Sequence, residues 1–497
     1  MRKRFEQQLS LGIVPIGEVK LNDRSRHQLP PLLKALQYVF VTPTLNTQVF
    51  ALLEDRVLKG KQKTGRLGMS LWEMLVLSLT RLNLDIDYDF LLDLANNHES
   101  LRGILGVHPS NFTRGHQYKE QTVRDNVSLL DETLLREVNE LIVAQAHGLI
   151  KKNEGVEVLG LNIKVDSYVV ESTIHFPTDL NLLWDSGRKC IDTIVHLLDS
   201  GFALDEWGKH KYQYRQLKNH YRHTSEIHRR KGANYKSRLA GAVKAYLLKA
   251  RQISQKVKQS LLQGAQGVVA GHVSIVQFGL LEALRYYWRM LDKHIDLVER
   301  RLLKGEQIPH QEKVFSIFEP HVEWLSKGKL HRAVELGHNV AIATDQYHFI
   351  IDFETMIGVS DPQTGLEMGQ RIVKQYGPYC QLKSISFDRG YYSSLIKKAL
   401  CEDFDQVIMP KKGKRSLKQE AEESQEDFKR LRRAHSAVES NINQLEHNGL
   451  NRCPDKGVKG FKRYVALGIL SYNLHRLGKL LIKIEKAQAQ PPPVKAA

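Results

Sequence analysis

Hydrophobic and polar positions along this chain follow two different periods, and the switches between them divide it into blocks. Residues 1–65 show neither period and carry Pro15, Pro30, Pro31 and Pro43, so they read as irregular. Ser70-Leu-Trp-Glu73 is a capping box, in which Ser70 accepts from first-turn amides and Glu73 reaches back. It predicts a short helix to about Arg81, followed by two more near Asp87–Asn96 and His98–Leu105. A longer helix starts at Asp131, with Leu134, Leu135, Val138, Leu141 and Ile142 on one stripe. A compact helical N-terminal domain over 1–155 is expected.

The period then changes to two. In Val158–Ser167, Leu159, Leu161, Ile163 and Val165 alternate with Gly160, Asn162, Lys164 and Asp166, which predicts a strand ending its polar face on Asp166. After Asp185-Ser-Gly-Arg188 the chain turns helical for more than a hundred residues. Two long stripes are separated by the glycine-bearing stretch Gln263–Gly271, which predicts an antiparallel helical hairpin. Strand character returns at Val334–Thr344, Tyr347–Met356, Leu382–Asp388 and Gln406–Met409. Helices over Gln425–Glu446 and Phe461–Ile484 follow, and the proline-rich tail reads as disordered. The order predicts an α/β domain over 156–188 and 313–485, interrupted by a helical insertion over 189–312 and closed by a tail over 486–497.

Charge sharpens this picture. The 497 residues carry 73 Lys+Arg against 55 Asp+Glu, a net +18, which suggests a polyanionic partner. Between Lys209 and Ser260 lie fifteen Lys/Arg and one acid, Glu226, so this stretch alone carries +14. A solvated helix face mixes both signs, so a one-sign stretch interleaved with Tyr212, Tyr214, Tyr221, Tyr235 and Tyr246 points to phosphate binding, with Arg229, Arg230 and Lys231 at its densest point. A second basic patch holds Lys411, Lys412, Lys414 and Arg415, with Arg430, Arg432 and Arg433 beyond it. Four scattered cysteines form no C-x-x-C pair, which excludes a disulfide scaffold and a cysteine-rich zinc module. No apolar core follows MRKRFEQQLS and no run approaches a membrane span, so a cytoplasmic, reduced protein without a membrane partner is expected.

Three acids occupy positions where α/β folds place their chemistry. Asp166 and Asp388 end strands, and Glu439 lies beside the apolar stripe of a late helix. Carboxylates gathered in one place repel, and a hard divalent cation relieves that repulsion. Spacing alone does not show that the three converge, and a strand-end Asp serves as a turn residue or helix cap more often than as a metal ligand. Asp345, Asp352 and Asp361 read as turn or strand-edge residues, and Trp184 and Trp288 as core.

At these residues the sequence resembles the DDE transposases of bacterial insertion sequences, and looks closest to the ISNCY-type group. The resemblance is carried by Val165-Asp-Ser-Tyr-Val-Val-Glu-Ser-Thr-Ile-His-Phe-Pro-Thr-Asp179 with Asp185-Ser-Gly-Arg188, by Phe387-Asp-Arg-Gly-Tyr-Tyr-Ser393, and by Arg432-Arg-Ala-His-Ser-Ala-Val-Glu-Ser-Asn-Ile-Asn-Gln-Leu-Glu-His-Asn-Gly449. It covers about 156–190 and 313–480, and Leu71–Leu105 is also similar to the N-terminal domain of such enzymes. It implies a ribonuclease H-like sheet in a bacterial, nucleoid-associated protein. Asp166, Asp388 and Glu439 become the catalytic and Mg2+-binding acids, with Mn2+ able to substitute.

The activity implied is cleavage at transposon ends and strand transfer to target DNA. The partners are double-stranded DNA, as terminal inverted repeats and target, and further copies of the chain in a homodimer or higher oligomer on DNA. A nuclease without strand transfer and a catalytically inactive DNA-binding descendant are the alternatives. The 222 residues between Asp166 and Asp388 reflect the helical insertion, whereas only 51 separate Asp388 from Glu439. Some relatives carry Tyr, Arg and Lys at fixed offsets around the glutamate. Here those offsets hold Arg432, His435 and Glu446, which makes Arg432 the candidate for gripping a terminal phosphate.

Overall fold

The structure, a computed structural model, describes residues 4–5, 13–60, 68–108, 116–205, 207–326 and 334–489. The chain divides into two compact units, 1–173 with 325–497, and 174–324. No helix among the described residues is long and apolar enough to cross a membrane.

Among the described residues the first unit opens with seven α-helices: α1 (Leu29–Val41), α2 (Pro43–Val57), α3 (Leu71–Leu84), α4 (Tyr88–Asn97), α5 (Glu99–Ile104), α6 (Glu120–Val127) and α7 (Glu132–Glu154). The first two correct the expectation of an irregular start. Pro30, Pro31 and Pro43 sit in opening turns, where an amide has no intrahelical partner to lose and the fixed φ of proline favours the helix. The predicted capping box is formed in both directions, Glu73 N to Ser70 Oγ at 3.2 Å and Ser70 N to Glu73 Oε2 at 2.8 Å. Asp131 caps α7 by accepting from Leu134 N at 2.8 Å.

A mixed seven-stranded sheet follows: β1 (Leu159–Ser172), β2 (Glu323–Ser326), β3 (Val334–Thr344), β4 (Ile350–Met356), β5 (Cys380–Phe387), β6 (Gln406–Ile408) and β7 (Arg452–Cys453). The order is β2-β3-β1-β5-β6, with β4 also on β3 and β7 on β1. β3 runs antiparallel to β1 and β5 parallel to it. β1 continues past the expected end at Ser167, because β3 pairs with it as far as Glu171↔Gly337 and β7 takes up Glu171 and Ser172. Asp166 therefore lies inside a strand.

One hydrophobic core joins the seven helices to the sheet and to the last helix. Between the strands lie α12 (Asp361–Tyr376) and α13 (Ser394–Leu400), and then α14 (Leu417–Glu423), α15 (Glu426–His435), α16 (Ala437–Leu445) and α17 (Gly457–Ala489), with α8 to α11 belonging to the second unit. The predicted single helix over Gln425–Glu446 is split at Ser436, whose hydroxyl donates back to the Arg433 carbonyl at 2.9 Å and bends the chain. The tail was expected to begin at 486, but α17 runs through Ala489, and 490–497 lie outside the described residues.

α17 threads the core of the first unit. A Cβ on its Gly478 would sit 1.8 Å from the Pro31 carbonyl oxygen, so glycine permits the backbone of α1 to approach. Asn473 of α17 donates to Ile350 O at 2.8 Å and to Asn139 Oδ1 of α7 at 2.7 Å, and accepts from Ile350 N at 2.9 Å. This buried amide ties α7, β4 and α17 together with its polar atoms satisfied.

The second unit holds α8 (Asp179–Asp199), α9 (His210–Arg230), α10 (Tyr235–Val269) and α11 (Ile275–Val298) around a separate core. Trp184 and Trp288 pack against this core, as expected. The hairpin turn falls at 270–274 and not across Gln263–Gly271, because Gly264 and Gly267 are helical. They serve as close-approach points, Gly264 under Leu281 and Gly267 beside Phe202 and Val273.

His475 of α17 is buried at 3% exposure with Nδ1 against the Gln28 carbonyl, and burial, reinforced by Lys479, holds its pKa down to about 4. The folded imidazole thus refuses a proton that the unfolded one accepts near pH 6.5. Its contribution is complete above that pH and is lost as pH falls toward 4, by at most about 3 kcal/mol. Urea titrations of His475→Gln should show a flatter acid limb than the parent protein.

Candidate functional site

The site is built on two neighbouring parallel strands. Lys164 of β1 lies opposite Ser386 of β5, and Val165 opposite Phe387. Side chains alternate across a sheet, so Ile163, Val165, Ile385 and Phe387 enter the core while Asn162, Lys164, Asp166, Ser384 and Ser386 share the other face. Asp166 and Asp388 each stand one step beyond the last registered pair. They are adjacent, on the polar face, where β5 ends and β1 continues.

Hydrogen bonds lace this face. Ser384 Oγ donates to Asn162 Oδ1 at 2.8 Å, and Ser386 Oγ lies 3.2 Å from the Ile163 carbonyl and 3.0 Å from His435 Nδ1. Asp166 is half-buried and accepts from Ser167 N at 2.7 Å, whereas Asp388 is exposed. Burial pushes the Lys164 ammonium down, partly offset by Asp345.

After β5 a single turn carries Arg389, Gly390 and Tyr391. Burial raises the Tyr391 hydroxyl far above its ordinary value, and the carboxylates of Asp361, Asp166 and Asp388 add to the rise. Asp361, which opens α12, lies close enough that a Cβ on Gly390 would be 2.8 Å from its Oδ2. The neighbourhood of Tyr391 is therefore shared by three carboxylates, one of them outside the sequence-predicted set.

Glu439 approaches from another element. α15 packs on β5 and β6, and α16 packs on β1. His435, at the end of α15, is pulled below its ordinary pKa by burial, against the opposing effect of Asp388 and with the help of Lys164. Glu439 stands four residues further on, exposed, on the helix anchored by Val438 and Asn441. Asn441 Oδ1 faces His348 Nδ1 at 2.9 Å and accepts from the Tyr472 hydroxyl at 3.3 Å, which ties α16 to the β3–β4 turn and to α17. The structure thus sets Asp166 beside Asp388 and carries Glu439 on a helix over the same strands. Among the described residues no three His, Cys, Asp or Glu side chains form a group that could hold a metal ion.

The other acids separate cleanly. Asp345 is a turn residue, as expected, accepting from Tyr347 N and Phe349 N and facing His147 Nε2 at 2.7 Å. Asp352 is buried between Arg136 and Arg371, at 2.6 and 2.9 Å, and has a structural role. Asp361 carries no sequence signal beyond that of a helix start, so reading it as a turn residue missed its position beside Gly390. Lys164 and Ser386 follow from strand alternation once the β1–β5 register is known.

The basic residues form two groups. Near α14 and α15, Glu423 draws Arg415 to 3.0 Å and Arg432 to 3.7 Å, and accepts from Lys411 N at 3.1 Å. Arg432 is thus partly engaged, while Lys412 and Arg433 are exposed. In the second unit, Arg229, Arg230 and Lys231 lie exposed at the end of α9, with Arg230 paired to Glu226 at 2.8 Å. Most of the interleaved tyrosines are core: Tyr246 is buried, Tyr221 stacks on Trp184 at 5.8 Å, and Tyr214 and Tyr235 pack against them. Tyr212 alone of the five is exposed, at 55%.

No protein-family model, no curated protein and no solved structure matches this chain.

Replacing Asn441 by Ala removes the shared partner of His348 and Tyr472 inside the packed seam. A loss of about 1–3 kcal/mol in unfolding free energy is expected, read from the urea midpoint at unchanged m-value.

Proposed function

We propose that this protein is a DNA transposase of the DDE type, built on a ribonuclease H-like sheet. The observation that carries the reading is the register that puts Asp166 and Asp388 side by side at the end of β5, with the helix bearing Glu439 packed on β1. The path β4-β3-β1-β5-β6 supports it, with β3 antiparallel to β1 and β5 and β6 parallel. The motif resemblance falls on these same three acids.

The donor chemistry fits a hard divalent cation. Adjacent carboxylates offer oxygen ligands and repel when left uncompensated, and His435 turns its Nδ1 to Ser386. By the motif resemblance Asp166, Asp388 and Glu439 are the residues that would hold Mg2+ or Mn2+, although as placed they do not form a closed ligand group. Such ions, when bound, favour deprotonation of an attacking water or 3′-hydroxyl and neutralise charge at the phosphodiester.

The chain's own residues do the rest. Asn441 and Val438 fix α16, and the Ser386–His435 contact fixes the end of α15 against β5. Lys411, Lys412, Arg432 and Arg433 would meet DNA phosphates beside the sheet, and Arg229, Arg230 and Lys231 would meet them on the second unit. In strand transfer the 3′-oxygen loses its proton and bonds to target phosphorus. The bond from that phosphorus to the target's own 3′-oxygen breaks, and that oxygen takes up a proton.

Asp388→Asn should lower formation of joined transposon-end and target product by on the order of 1,000-fold, equivalent to about 4 kcal/mol of lost stabilisation. An unchanged rate would overturn the assignment of the acids, and nicked product without joined product would favour a nuclease. Neutralising Arg229, Arg230 and Lys231 together should reduce the slope of log K against log salt by about 2 to 3, since each phosphate contact contributes about 0.9. Binding titrations over a salt series measure it.

A further inference from the structure

The tip of the α10–α11 hairpin differs chemically from the rest of the chain. In 260–281 there is no Lys, Arg, Asp or Glu, although 26% of the protein is charged and Lys209–Ser260 carries +14. Six large apolar side chains face solvent here: Leu262 at 59% exposure, Val268 at 40%, Val269 at 90%, Ile275 at 92%, Val276 at 69% and Phe278 at 49%.

This apolar tip is firmly built. Ser274 and Gln277 form a capping box at the start of α11, Gln277 Nε2 donates to Ser200 O at 3.0 Å, and Gly264 seats Leu281 between the helices. Asp205 of the adjoining loop is engaged by Gln263 Nε2 at 2.6 Å. The backbone therefore holds the apolar side chains outward on two capped, packed helices. An exposed patch of this kind marks an interaction surface.

We propose that the tip is a self-association surface on which a second copy of this chain docks, hairpin tip against hairpin tip. Charge chooses this partner. In a two-fold contact both subunits present the same patch, so a patch of net charge meets its own sign, which this uncharged tip avoids. Two molecules of net +18 repel over most of their surfaces, and the uncharged tip is where they meet without that cost. The six side chains expose on the order of 600 Å2, approaching the ~800 Å2 per partner of a standard specific interface. The inference uses only 260–281 and the net charge, so it stands or falls separately from the nucleic-acid reading.

Sedimentation equilibrium of the full chain, without nucleic acid and at high salt, tests it over a concentration series. The parent protein should show a monomer–dimer equilibrium. Val269→Asp combined with Ile275→Asp should raise the dimer dissociation constant by about 30-fold or more, as loss of a buried anchor does. Ile275→Met should leave it within a few-fold, and circular dichroism should show unchanged helix content, since both side chains are exposed in the monomer. Should the double variant lose helix, Ile275→Lys alone gives the same reading. A parent protein that stays monomeric throughout, or a charged-tip variant that associates like the parent, overturns the proposal. So does tip-dependent binding to phosphatidylserine vesicles by a protein that remains monomeric, which would assign the surface to lipid.

Discussion

The fold rests on β1 having both edges occupied. Antiparallel bonds to β3 and parallel bonds to β5 fix its register from two sides, and alternation then decides which residues are buried. A slip of one residue would turn Val165 outward and Asp166 into the core, where an unpaired carboxylate is costly. Stability and chemistry therefore place the same demand on this strand. Leu161, Ile163 and Val165 hold the sheet to its core only in the register that presents Asn162, Lys164 and Asp166 to the other face.

A second layer of constraint sits in the helices that close over that face. α16 is held in place by Asn441, a buried amide shared between the β3–β4 turn and α17. The same α17 reaches back to α1 through Gly478 and to α7 through Asn473. Positioning of the exposed Glu439 thus depends on contacts made by residues hundreds of positions earlier.

Much of this was legible in the sequence, for identifiable reasons. Strand alternation and the helix-start residues Ser70 and Asp131 are local signals, and the elements they predict are present. The first two helices were hidden because proline was read as a breaker, although in a first turn it initiates. The extent of β1 was hidden because β7 pairs with it from a distant part of the chain. Asp361 looked like an ordinary helix start, and only the packing of α12 against the turn after β5 brings it near Asp388. The tyrosines of the basic stretch misled in the opposite direction. Interleaved with the basic residues they read as part of a phosphate-binding stretch, yet four of them fill or flank the core of the second unit.

The insertion of 174–324 between β1 and the other long strands has a consequence in time. The residues that stand opposite Lys164 lie 180 residues further along at Thr344 and 222 further along at Ser386. During synthesis, at about 5–20 residues per second, β1 leaves the ribosome many seconds before either neighbour exists. The inserted helices draw their core from residues that are all synthesised within that interval. The order of synthesis therefore makes every residue of the helical unit's core available before β1 has either neighbour, and the sheet can close only after that.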